Sequence, residues 1–179
     1  MLKKIMAALD RILFSIRLRS AGQYEKAGIL SAKYGMQVGK NIRITGSVTF
    51  GTEPYLIELG NDITITQNVV FHTHDGGVWV FRKEYPGINI FRKIKVGNNV
   101  FIGANSSIMP GVTIGDNIVI AAGSVVTKDC ESDSVYGGVP ARKLKTLSEY
   151  KEKVLKEAVY ITTKDTVQRK KQILGSIKG

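Results

Sequence analysis

Residues 96–130 read VGNNVFIGANSSIMPGVTIGDNIVIAAGSVVTKDC, and in them a bulky aliphatic side chain returns every six positions, at Val96, Ile102, Ile108, Ile114, Ile120 and Val126. The residue after it is glycine at Gly97, Gly103 and Gly115, and the residue four places on is small or apolar, at Val100, Ser106, Val112, Ile118, Ser124 and Cys130. A six-residue repeat matches no helical period and leaves too little chain for a strand-turn-strand hairpin. It fits a solenoid whose coils are short strands joined by tight turns, with the recurring aliphatic side chain pointing into a stacked core. The glycines then serve turns that need a positive φ or a close approach of backbone.

Upstream the same period appears in Val38, Ile44 and Phe50, and again in Leu59, Ile65 and Phe71. These two halves stand nine residues apart instead of six, which predicts an irregular insertion at 52–57, and a larger interruption covers about 76–92. A solenoid carries its insertions on one face, often the binding face, so both loops are candidates for lining a site. Before the ladder, Ile5, Leu9, Ile12 and Ile16 recur at helical spacing among Lys3, Lys4, Arg11, Arg17 and Arg19. They predict a basic amphipathic helix that packs its stripe on the body or a neighbouring subunit, with peripheral membrane contact as the alternative. After Val139-Pro140 the ladder stops, and a lysine-rich, partly helical tail is expected.

The chain has 179 residues, 43% of them apolar, which suits one domain with appendages. Its net charge of +11 calls for an anionic partner or a solvated basic surface. Nucleic acid is disfavoured, because the charge is spread over both termini and the loop without a binding motif or basic-aromatic alternation. Cys130 has no second cysteine to pair with, and the two histidines lack neighbours at metal-ligand spacing, so no metal and a reducing compartment are expected. The longest apolar run near the start, residues 5–9, is too short for a signal-peptide core or a membrane span, which points to the cytoplasm.

The ladder resembles the hexapeptide-repeat transferases, and its most specific stretch is GVTIGDNIVIAAGSVVTKD at 111–129 followed by YGGVPARKLK at 136–145. These segments are similar to the end of galactoside, maltose and capsule-sugar O-acetyltransferases. The segment 53–77, EPYLIELGNDITITQNVVFHTHDGG, resembles the active-site region of the branch that acetylates capsule, lipopolysaccharide or exopolysaccharide sugars. The resemblance implies an all-β core in the form of a left-handed parallel β-helix with three strands per coil, a hand opposite to the usual one for parallel crossovers. It divides the chain into an N-terminal helical segment at 1–37, the β-helix at 38–145 with its loop insertion at 76–92, and a basic tail at 146–179. It further implies acetyl-CoA as donor, a sugar or sugar-containing acceptor, and a homotrimer with sites between subunits.

In that family pattern the histidine followed by aspartate is catalytic, which maps to His74. An alcohol attacks a thioester poorly at neutral pH, and a base with a pKa near 7 takes its proton as attack begins. Direct attack then gives a tetrahedral oxyanion, suited to a backbone N–H donor, with no acyl-enzyme. A catalytic imidazole needs a partner that sets its tautomer, and Asp75 and Glu53 are both candidates. Glu53 stands about where galactoside and maltose enzymes carry an acceptor-binding asparagine, a departure from their pattern, while Asp75 has the alternative use of a turn residue in an Asp-Gly pair. His72 is the weaker histidine candidate.

For the donor, Ala104 and Ala122 match family positions whose main chain meets the pantetheine arm. Thr127, Lys128, Arg142 and Lys145 match the threonine and basic residues near the nucleotide, where cations suit phosphate oxygens. Coil packing and a general basic surface are the plainer uses of the same residues. Cys130 occupies a packing place in the ladder. Trp79, Phe81, Tyr85 and Phe91 in the long loop are candidates for contact with the acceptor or a neighbouring subunit. N-acetylation of an amino sugar, which needs the same base and groove, and a catalytically silent scaffold are the competing readings.

Overall fold

The computed structural model describes residues 2–176, with the side chains of 2–4 and 7, and so of Lys3 and Lys4, outside the described residues. The chain forms two compact units, Met1–Leu147 and Ser148–Gly179. The first opens with helices α1 (Leu2–Ser20) and α2 (Lys26–Tyr34). Gly35 then ends α2 in the left-handed region at φ 72°, its N–H bonded to the Ser31 carbonyl.

The repeat then builds a three-sided stack of parallel coils. The first coil is β1 (Gln37–Val38), β2 (Ile42–Ile44) and β3 (Val48–Thr49); the second is β4 (Ile57–Leu59), β5 (Ile63–Ile65) and β6 (Val69–Phe71). The third is β7 (Ile94–Val96), β8 (Val100–Ile102) and β9 (Ser107–Ile108), and the fourth is β10 (Thr113–Ile114), β11 (Ile118–Ile120) and β12 (Val125–Val126). Strands β13 (Ser134–Gly138) and β14 (Ala141–Thr146) form an antiparallel hairpin that continues the middle sheet, in the order β14-β13-β11-β8-β5-β2.

Three six-residue steps make one turn, so each aliphatic residue lies over its equivalent in the next coil. Val96 pairs with Ile114, Ile102 with Ile120, and Ile108 with Val126. All six are buried, as are Ile44, Ile65 and Phe71 below them, and Phe50 stacks on Phe71 with ring centroids 5.2 Å apart. Each such side chain contributes about 1.5–3 kcal/mol through removal from water.

The corners use two residue types in different ways. Positive φ is carried mainly by Asn41, Asp62, Asn99, Asn117 and Asp133 on one corner and Asn68 and Asn105 on another, at φ 54–60°. Asn and Asp are the side chains that tolerate this region best, and their amides and carboxylates bond from coil to coil, for example Asn99 to Asn117 at 2.8 Å and Asn117 to Asp133 at 2.9 Å. The repeat glycines answer the other need, close approach. A Cβ on Gly60 would lie 2.5 Å from the Gly97 carbonyl oxygen. Gly60→Ala is therefore expected to lower stability by about 1–3 kcal/mol, read as a fall in Tm by thermal unfolding; an unchanged Tm would show that the coils can spread at that corner.

Two sequence expectations are corrected here. The first insertion ends one residue earlier than expected, because Ile57 is already in β4, fully buried and paired with Ile94. The stripe Ile5, Leu9, Ile12 and Ile16 does not pack on the body of its own chain, which leaves the neighbouring subunit and the membrane surface as its alternatives. Phe14 and Leu18 make that contact instead, Phe14 meeting Tyr34 edge-on at 5.4 Å. The helical spacing alone does not distinguish a face held by the body from a second apolar face beside it.

Helix α3 (Leu147–Glu157) starts at the last residue of the first unit, and α4 (Thr166–Ser176) follows it in the second. Asp165 accepts the Gln168 N–H at 2.8 Å, as an N-cap does.

Candidate active site

After β6 the chain keeps strand alternation through His72, Thr73 and His74. Thr73 follows the inward parity of Phe71 and is fully buried, and the two histidines on either side of it turn outward. An antiparallel pinch closes the base of the long loop over this segment. His74 bridges Phe91, the Asp75 N–H donates to the Ile90 carbonyl at 3.0 Å, and the Arg92 N–H donates to the Thr73 carbonyl at 3.0 Å. The His74 backbone is thereby held from both sides.

The first insertion approaches the same point from the coil below. Gly51, at φ 66°, lets the chain leave β3 against Thr73; a Cβ there would sit 2.6 Å from the Thr73 hydroxyl. Pro54 begins the short 3₁₀ turn Pro54–Leu56, so the preceding Glu53 is aimed back at the histidine. Glu53 Oε2 lies 3.1 Å from His74 Nδ1 and accepts the Thr73 hydroxyl at 2.7 Å, while Oε1 accepts the Thr52 hydroxyl at 2.5 Å. Desolvation opposes ionisation of Glu53, but the hydrogen bonds from Thr52, Thr73 and His74 and the charge of His74 outweigh it and hold the carboxyl below its ordinary value.

An ionised Glu53 accepts a hydrogen bond from Nδ1–H, which assigns the lone pair of the neutral ring to Nε2. The Glu53 side chain is 16% exposed and that of His74 43%, so the acid is sheltered and the base reaches solvent. Asp75 takes the other use open to it. Its carboxylate accepts the Gly77 N–H at 2.8 Å and caps the turn Gly76–Phe81.

A cavity of about 330 Å³ opens beside the ring, lined by His72, His74, Asp75, Gly76, Ile90, Arg92, Met109 and Pro110. A larger hollow of about 480 Å³ lies near the N-terminal helices, lined among others by Ser15, Lys26, Leu30, Ile44 and Phe50, with no histidine or carboxylate in its lining. The smaller cavity is the one onto which a histidine paired with a carboxylate opens. On the loop above, Trp79, Phe81, Tyr85 and Phe91 are exposed, and the Arg82 guanidinium rests over the Trp79 ring at 4.9 Å.

Ala104 and Ala122 occupy one corner in consecutive coils, where the Gly123 N–H donates to the Ala104 carbonyl at 2.8 Å. The corner is tight: a Cβ on Gly103 would lie 2.4 Å from the Ala122 nitrogen. Arg142 pairs with Gly137, whose Cβ position is 3.1 Å from the Ala121 side chain, so this cation stands at the top of the same column of small residues. Thr127 and Lys128 follow β12 and are exposed, and Lys145 is half-buried opposite Val135 on β14. Small residues with cations beyond them fit an extended arm ending in phosphates.

The family described as hexapeptide repeat of succinyl-transferase matches residues 93–128. Protein CapG of Staphylococcus aureus is 51% identical over 148 residues, which cover 82% of this chain and 86% of CapG. The chain belongs to the hexapeptide-repeat acetyltransferase family. A maltose O-acetyltransferase from Clostridium difficile 630 superposes on this acetyltransferase with a TM-score of 0.58 at 28% identity, over 79% of this chain and 88% of that one. A hexapeptide-repeat acetyltransferase from Vibrio cholerae, in complex with acetyl-CoA, gives 0.57 at 26% identity, over 75% and 83%.

In the acetyltransferase Cys130 is buried, and burial, with the charge of Asp129, pushes its thiol up to about 12, so no nucleophilic thiolate is available there. Sequence reasoning passed over Thr52, Thr73 and Arg92. The parity of β6, which puts Thr73 inward between two outward histidines, was a usable signal for the second of these.

Proposed function

We propose that this acetyltransferase moves an acetyl group from acetyl-CoA to a sugar hydroxyl by direct attack, with His74 as general base and Glu53 as its partner. The observation that carries this reading is the Glu53–His74 contact of 3.1 Å beside a cavity of about 330 Å³. His74 Nε2 takes the acceptor proton as the oxygen attacks the acetyl carbonyl, and returns it to the departing thiolate. Glu53 holds the ring in the tautomer that leaves Nε2 unprotonated and stabilises the imidazolium formed during transfer. Asp75 supports His74 indirectly, by capping the turn that starts the long loop.

Ala104 and Ala122 line the path of the pantetheine arm, and Thr127, Lys128, Arg142 and Lys145 meet the nucleotide phosphates. The coils wind with the left hand, three subunits assemble, and each site lies between neighbours. Surface-polysaccharide biosynthesis in the cytoplasm is the setting, in keeping with the likeness to CapG and to a maltose O-acetyltransferase.

Calorimetric titration with acetyl-CoA tests the donor half without knowledge of the acceptor. The unaltered protein is expected to bind, and Lys128→Glu/Arg142→Glu to bind about ten- to a hundredfold more weakly, since each lost charge-assisted contact costs about 1.5–3 kcal/mol before solvent screening. Absence of binding by the unaltered protein would end the transferase reading. A screen of sugar hydroxyls against amino sugars, read as thiol release, then separates O- from N-acetylation.

A further inference from the structure

Helix α1 has apolar side chains on opposite sides. At 3.6 residues per turn, Asp10, Phe14 and Leu18 share one face, and this face is held by the body. Phe14 packs on Tyr34, the Asp10 carboxylate pairs with Lys33, and Leu18 joins the core. Ile5, Met6, Leu9, Ile12, Leu13 and Ile16 fall on the other side, and each is 49–65% exposed. Single exposed apolar residues are ordinary; six on one helical face form a surface that needs cover.

The charges beside this face identify the cover. Arg17 and Arg19 lie at its two edges and are exposed, and the one acid of the helix, Asp10, is engaged by Lys33 on the body side. In sequence Lys3 and Lys4 add to the positive sign, and the whole chain carries +11. A second copy set face to face on the helix would bring like charges together. A bilayer with anionic headgroups offers hydrocarbon to the apolar face and phosphates to its arginine edges.

We infer that α1 lies in the surface of an anionic bilayer. Its 19 residues span about 28 Å, enough to lie along the interface. Among the described residues no helix is long and apolar enough to cross a membrane. Because the body grips the opposite face, the helix enters the headgroup layer without leaving the fold, and the catalytic unit stays on the aqueous side. This docking depends on neither the donor nor the acceptor assigned to His74.

The test is co-sedimentation of the full chain with vesicles of phosphatidylcholine alone and of phosphatidylcholine with phosphatidylglycerol in about equal parts. The protein is expected to sediment with the phosphatidylglycerol vesicles, to remain in solution with phosphatidylcholine alone, and to be released in large part by salt. Leu9→Glu/Ile12→Glu is expected to lower partitioning by at least about tenfold, with its sedimentation velocity in the absence of lipid unchanged. Arg17→Gln/Arg19→Gln, which leaves the apolar face intact, is expected to lose most of the preference for phosphatidylglycerol. Equal sedimentation with both vesicle types, or with the Glu variant and the parent, would overturn the inference. A change of oligomeric state in the Glu variant would also overturn it and assign the face to a second copy.

Discussion

His74→Ala is expected to lower kcat about 10²–10⁴-fold, while acetyl-CoA affinity by calorimetry stays within about twofold of the parent. The size of the loss follows from the role: a positioned base supplies that much of the barrier reduction, and the donor contacts proposed above are made by other residues, Ala104 and Ala122 on a different corner and Thr127 and Lys128 two coils further along the same one. Because proton removal belongs to the transition state, the loss is expected in kcat and kcat/KM together rather than in KM alone. His72→Ala is the control. It lines the same cavity but lacks the Glu53 contact, so its activity is expected to remain within a few-fold. Survival of activity in His74→Ala with loss in His72→Ala would transfer the role to His72.

Glu53→Ala is expected to lower kcat about a hundredfold, because without the acceptor at Nδ1 the imidazole is free to rotate and to take the other tautomer, and its protonated form loses a sheltered counter-charge. Glu53→Gln keeps an oxygen for Nδ1 but not the charge, and an intermediate loss separates orientation from charge. If both variants kept parental kcat, His74 would be working without a partner, and Glu53 would be confined to anchoring its loop. The same side chain links folding to acid. Its carboxyl is held below the ordinary value of about 4.3, so its contribution to stability is complete above that pH and is lost as pH falls through the depressed folded value. Thermal unfolding is therefore expected to find Glu53→Gln less stable than the parent at neutral pH, with the gap closing below about pH 4. A gap that stays constant through the acid range would show that the carboxylate is not ionised against its partners.

The sequence disclosed the stack because a solenoid records its third dimension in one dimension. Neighbouring strands stand about 4.8 Å apart, so a residue recurring after three six-residue steps is a contact as well as a repeat, and Val96 against Ile114 was legible from spacing. The positive-φ corners are written in the sequence too, in Asn99, Asn117 and Asp133 standing just before Val100, Ile118 and Ser134. Helix α2 was missed, being short and only weakly amphipathic.

The site was readable only as a set of alternatives. His74 could be named from its motif, yet Glu53 and Asp75 were equal candidates, and the nearer in sequence was not the one that reached the ring. Asp75, adjacent to His74, is drawn to the Gly77 N–H by local turn geometry. Glu53, 21 residues away, arrives because the coils stack and the first insertion leaves the coil directly below the second. Likewise the helical period of α1 predicted an amphipathic element, but whether the stripe or Phe14 and Leu18 would face the body depended on where Tyr34 and Lys33 stood. Periodic structure is set by sterics within a few residues and is written in the chain. Which carboxylate meets an imidazole, and which face of a helix is left bare, depends on groups that meet only after the coils have closed on one another.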